Sequence, residues 1–202
     1  MRSFLPGCLL LIASVSLSAG AQTETNSYVF LPNQEVWVES LPAVVAASKN
    51  QSDVMLASVA VALMDAELCC DHASALADQV NGGASLQEIG KALRGGHRLN
   101  DGSSVTIVDK YWAATSISAE EIISALSAHR PLMMDWNGRV YVVSGAVFDE
   151  YRSYTGGLNT HAIKKLLLID TRFSGERRST TFDRQTEDWS KVKGFLTLTV
   201  VR

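Results

Sequence analysis

Cysteine is scarce in this chain, with three in 202 residues, and Cys8 precedes an apolar run at the N-terminus. Past residue 21 only Cys69 and Cys70 remain, too few for a disulfide-stapled small scaffold. Like-charge runs are missing as well. Acidic and basic residues are interspersed, the formal charge is −3, and no polybasic stretch is present to hold nucleic acid or an anionic membrane. After the N-terminal run no apolar stretch approaches the roughly 20 residues that cross a bilayer. Internal repeats and low-complexity segments are lacking, which argues against a solenoid or a disordered chain. What is there, 47% hydrophobic residues and four prolines, is the composition of one packed globular domain of ordinary size.

Arg2 followed by the run from Leu9 through Val15 and then Ala19-Gly20-Ala21 reads as a signal peptide, residues 1–21, cleaved after Ala21. Cys8 lies before the hydrophobic run, whereas a lipid-bearing cysteine would follow it, so it leaves with the signal. The formal charge of the rest becomes −4 once Arg2 is removed. The mature chain is expected in the periplasm or outside the cell, without a membrane anchor. It is read as an N-terminal arm, 22–49, and a single domain, 50–202.

In that oxidising setting Cys69 and Cys70 are adjacent. A trans peptide holds neighbouring Cα atoms about 3.8 Å apart, below the usual disulfide range. A vicinal bridge, an intermolecular bridge and packing as free thiols all stay open.

Residues 53–68 are apolar nearly all round, which predicts a buried helix capped by Ser52 or Asp53. A second helix is expected over 72–80, stopped by Gly82 and Gly83 in a left-handed cap. The third begins at the capping box Ser85/Glu88 and ends at Gly95-Gly96. A strand at 105–108 is followed by a second capping box, Ser118/Glu121, and a helix closed by Pro131. From there the period changes to two: strands at 131–136 and 139–148 flank the hairpin signal Asn137-Gly138. Then come a Gly/Tyr-rich loop through Gly156 and Gly157 and strands at 165–170 and 194–201. Helices lead and antiparallel strands follow, an α+β domain.

Several segments resemble papain-like cysteine peptidases, in particular the bacterial C39-type peptidases that act on double-glycine leaders. Ser52-Asp53-Val54-Met55-Leu56-Ala57-Ser58 is similar to the Asp-Cys-Trp-x-Ala-Ser helix start that carries the nucleophile. Asn137-Gly138-Arg139-Val140-Tyr141-Val142-Val143-Ser144-Gly145 resembles the family's Gly-His followed by an apolar strand. Leu168-Ile169-Asp170 resembles the strand end that supplies the orienting aspartate. Residues 118–131 are similar to the helix and "RP" approach to the histidine strand, and 182–195, with Asp188-Trp189, to the C-terminal motif. The adjacent cysteines resemble a vicinal pair in some secreted members. The resemblance spans about residues 50–196 and implies a papain-like fold, with an N-terminal helical half around a buried central helix and a C-terminal antiparallel β half.

The same resemblance implies lost catalysis. Val54 stands at the nucleophile position and has no lone pair. Arg139 stands at the histidine position and stays protonated, so it cannot act as a base. Asp170 is retained without an imidazole to orient. Gln51 is upstream, where an oxyanion-hole glutamine would stand, at a shorter spacing than in papain. A rival register, Lys110-Tyr111-Trp112-Ala113-Ala114-Thr115, has Tyr111 where the cysteine would be. The implied function is a pseudopeptidase that binds a peptide or another exported protein in its cleft through Gln51, Trp136, Arg139 and Asp170. Arg139 either pairs with Asp170, faces a peptide carboxylate, or is an ordinary exposed strand residue; Trp136 and Tyr141 line the groove or pack in the core. Two other readings stay open. One is a thiol enzyme using Cys69 or Cys70 with His72, His129 or His161; the other is an assembly or immunity partner that binds through an outer surface. No spacing among the histidines and cysteines suits zinc, and no cofactor or metal is expected.

Overall fold

The computed structural model describes residues 28–38, 41–46, 50–154 and 157–202. The expected signal peptide with Cys8 and its cleavage point, and Gly156 of the Gly/Tyr-rich loop, lie outside the described residues. In chain order the elements are β1 (Tyr28–Trp37), α1 (Gln51–Asp65), α2 (Cys70–Ala77), α3 (Leu86–Leu93), β2 (Gly95–Arg98), β3 (Ser104–Ala113) and α4 (Ala119–Ser127). These are followed by β4 (Leu132–Trp136), β5 (Arg139–Ser153), β6 (Thr160–Ile169), β7 (Ser179–Asp183) and β8 (Val192–Val201). The domain is α+β, and its strands form one sheet in the order β2-β3-β8-β4-β5-β6-β7, with β1 also on β5. Every strand pair among the described residues is antiparallel.

The sheet is covered on both faces. Met133 of β4 and Leu196 and Leu198 of β8 pack with Val59, Leu63, Leu76, Ile89 and Leu93 of α1, α2 and α3. The alternate residues Leu132, Met134 and Phe195 pack on the other face with Ile122 and Leu126 of α4. Two-sided cover corrects the expected period of two: Leu132–Met134 and Val140–Val143 are buried in unbroken runs, the pattern of a strand with no wet face. Helix α1 buries nine of its residues from Val54 to Leu63, as its all-round apolar sequence predicts.

The element order departs from helices first, strands last. β1 lies in the expected arm and pairs with the far half of β5, from Tyr28↔Ser153 to Trp37↔Gly145, with a register shift between Leu31 and Gln34. Pro32 obscures this strand in the sequence, because a residue without an N–H is tolerated at a sheet edge or bulge. The β2–β3 hairpin is inserted between α3 and α4, so the glycine pair after α3 does not end in a turn. Gly95, at φ +116°, opens β2.

Both capping boxes form as the spacing predicts. Asn137 and Gly138 both take positive φ, 53° and 72°, as a two-residue hairpin of this twist requires. Two caps differ. Asn50, not Ser52 or Asp53, caps α1 by accepting from the Asp53 amide at 3.0 Å. Helix α2 ends at Asp78 in right-handed geometry. Gly82 serves close packing instead of a left-handed cap: a Cβ there would meet Ser52 Cβ at 2.5 Å. His97 lies on β2 and His161 on β6.

Candidate functional site

Three segments distant in sequence meet at the N-terminus of α1. Thr171 Oγ1 donates to the Val54 carbonyl at 3.0 Å, across 117 residues. Ser58 Oγ is within reach of the Val54 carbonyl, 3.0 Å, and the Val140 carbonyl, 3.3 Å, and it is 3.3 Å from Thr171 Oγ1. Both hydroxyls are fully buried, and buried polar groups are stable when mutually satisfied. This knot fixes Val54 beside the start of β5 at Arg139 and the end of β6 at Asp170. Neither Ser58 nor Thr171 was singled out in the sequence; each immediately follows or closes a quoted motif, and that adjacency is the signal for them.

Asp170 is 5% exposed. Its partner is Arg172 and not Arg139, which sets aside one of the three alternatives for Arg139. Arg172 Nε is 2.8 Å from Oδ1 and 3.0 Å from Oδ2, Arg172 Nη2 also donates to Oδ2, and the Arg172 amide donates to Oδ1 at 3.0 Å. Burial pushes the Asp170 carboxyl up, but the Arg172 hydrogen bonds and charge, with a smaller contribution from Arg139, hold it below its ordinary value. Arg172 is two positions past the quoted motif and escapes a reading anchored on it. Arg139 is exposed, and among the described residues it makes no hydrogen bond or ion pair.

Gln51, Val54, Arg139 and Arg172 line a pocket of about 200 Å³. Gln51 Nε2 donates to the Gly138 carbonyl, bridging the helix start to the β4–β5 turn. Both residues of that bridge also wall a second, larger hollow of about 500 Å³, with Ser52, Gly82, Asp135 and Lys193. Burial raises the Asp135 carboxyl above its usual range, opposed by Lys193 and a Gly138 backbone hydrogen bond. Among the described residues the small pocket presents two guanidiniums, with no thiol, hydroxyl or imidazole on its walls, and Asp170 lies behind one of them, bonded to Arg172. Its two guanidiniums suit it to an anion.

Trp136 lies apart from both hollows. It packs in the aromatic core, 5.6 Å from Tyr141 and 5.1 Å from Phe182 between ring centroids. Tyr141 is buried in the same cluster. Cys69 and Cys70, both free and exposed, stand at the cap and first residue of α2. Cys69 and His72 share a separate pocket of about 460 Å³ with Asp101 and Arg202. His129 and His161 are not among its walls, and His161 Nδ1 is 3.5 Å from Glu120 Oε1. Among the described residues no group of three or more His, Cys, Asp or Glu is arranged to hold a metal. No family model matches the chain, and no curated protein matches its sequence.

Proposed function

We propose that this is an exported, catalytically inactive papain-like module of the C39 type, whose cleft at the start of α1 binds a peptide or another exported protein. The observation that carries the reading is the meeting of three segments at one pocket. They are the segments that resemble the nucleophile, histidine and aspartate motifs, and the buried hydrogen bonds that join them reach from α1 across 82 residues to Val140 and 117 residues to Thr171. Chemistry at the cleft requires a thiolate and an imidazole; the module keeps the geometry and replaces both groups.

A quenched fluorogenic octapeptide library tests this. No cleavage is expected, and binding by fluorescence polarisation should fall when Gln51→Trp fills the cleft. Cleavage would overturn the inactive reading. Binding unaffected by Gln51→Trp would move recognition to an outer surface, as for an assembly or immunity partner.

A second reading is favoured by one observation: Cys69 and His72 line the same pocket as Asp101, the residue types of a thiol enzyme. Rapid, stoichiometric labelling of Cys69 by a thiol-directed peptidase probe, with turnover lost in Cys69→Ser, would establish it in place of the first.

A further inference from the structure

We infer that the small pocket at Arg139 recognises a carboxylate, and that the occupant of the cleft enters it by a free C-terminus. This rests on the cleft reading and names its ligand class.

Charge sets the chemistry. Two guanidiniums, Arg139 and Arg172, line the pocket, and a single carboxylate, Asp170, faces Arg172. Asp170 engages Nε and Nη2 of Arg172, which leaves Nη1 of that five-donor fork available. Arg139 brings a whole fork with no partner among the described residues. A planar, two-oxygen anion matches such a fork in a bidentate manner, which a neutral amide cannot do. Val54 adds an apolar wall at the pocket's inner end.

Shape decides between a chain end and a chain middle. The volume, about 200 Å³, suits a carboxylate and one small side chain, well below the several hundred cubic ångströms of a drug-sized ligand site. Gln51 lines both this pocket and the larger hollow, and its side chain is tied across to Gly138 on the wall of the larger one. An extended segment running through would have to break that bridge, whereas a terminus stops in front of it.

Acetylated Gly/Ser octapeptides ending in Ala are the probe, made as the free acid, as the C-terminal amide, and as the amide with one internal Asp. The free acid should bind at least about tenfold more tightly than the amide, the scale of one charge-assisted hydrogen bond. That ratio should fall to near one in Arg139→Ala, while Lys193→Ala on the far hollow leaves it intact. If the internal Asp amide binds like the acid, a side-chain carboxylate is the ligand and the C-terminal assignment falls. Equal binding of acid and amide, with both weakened by Gln51→Trp, overturns the carboxylate and leaves the cleft. Binding untouched by Gln51→Trp overturns the cleft reading, and no binding by any probe overturns both. A ratio that persists in Arg139→Ala also overturns the proposal.

Discussion

Arg172 clasps Asp170 from two residues along the same segment, Nε lying 2.8 Å from Oδ1, with the Arg172 amide at 3.0 Å from the same oxygen. The buried carboxylate is therefore engaged locally, and Arg139 is left without it. Arg172 neutralises the buried acid, and Arg139 is exposed with no hydrogen bond or ion pair among the described residues.

Arg172→Ala strands a buried carboxylate and is expected to destabilise the fold by about 3 kcal/mol, the cost of breaking such a pair from one side. Because the folded Asp170 carboxyl is held below its unfolded value, its contribution is present above the unfolded value near 3.8 and is lost as pH falls through the folded one. Urea melts at neutral and acid pH check this; a deficit that does not shrink on acidification would contradict it.

Val54→Cys, in a background of Cys69→Ser and Cys70→Ser, places a thiol at the start of a 15-residue helix beside Arg139. Its pKa should lie below the free-thiol value of about 8.5, read from the pH dependence of iodoacetamide alkylation. Peptide cleavage should still be absent, since Arg139 does not give up a proton to the leaving amine. An ordinary thiol profile would argue against an electropositive pocket.

Ser58→Ala and Thr171→Val each remove one hydroxyl of the buried knot. Each should cost about 1–2 kcal/mol, with the double variant costing less than the sum because the groups share acceptors. Thermal unfolding of the three variants measures the coupling. Strict additivity would mean the hydroxyls act independently.

Glu121 closes the capping box of α4 and also accepts from Trp112 Nε1 at 2.6 Å and Lys110 Nζ at 3.1 Å. The Ser118 amide, followed by the Trp112 and Lys110 contacts, lowers its pKa from 4.5 to about 2. The stability it contributes is thus present above 4.5 and fades between 4.5 and about 2. Glu121→Gln should flatten that limb of the stability profile and cost about 1 kcal/mol at neutral pH. An unchanged acid limb would show that another carboxylate carries it.

Legibility in the sequence followed physical range. Capping boxes and the Asn137-Gly138 turn are local chemistry, and all three form where their residues stand. α1 was visible because burial on every side leaves no polar stripe to hide it. β1 escaped because Pro32 and Asn33 interrupt its pattern at a bulge, and β2 because two glycines read as a stop. At the site, Val54, Arg139 and Asp170 are brought together, whereas Trp136 is on the opposite face of β4. Parity along a short strand fixes such a face only once both covering layers are known. Arg172 was missed since its role depends on a neighbour's burial, which sequence spacing does not display.

The two-sided cover of the sheet has a kinetic corollary. Val142 and Val143 have no exposed surface, and the stretch of β5 that holds them is paired on both edges, to β4 and β6. Their amides should be among the slowest to exchange with deuterium, opening at a cost near that of global unfolding. The pocket at Arg139 is therefore anchored three residues from the most protected part of the chain. Its backbone is pre-organised, so a ligand that docks there loses little free energy to ordering the protein.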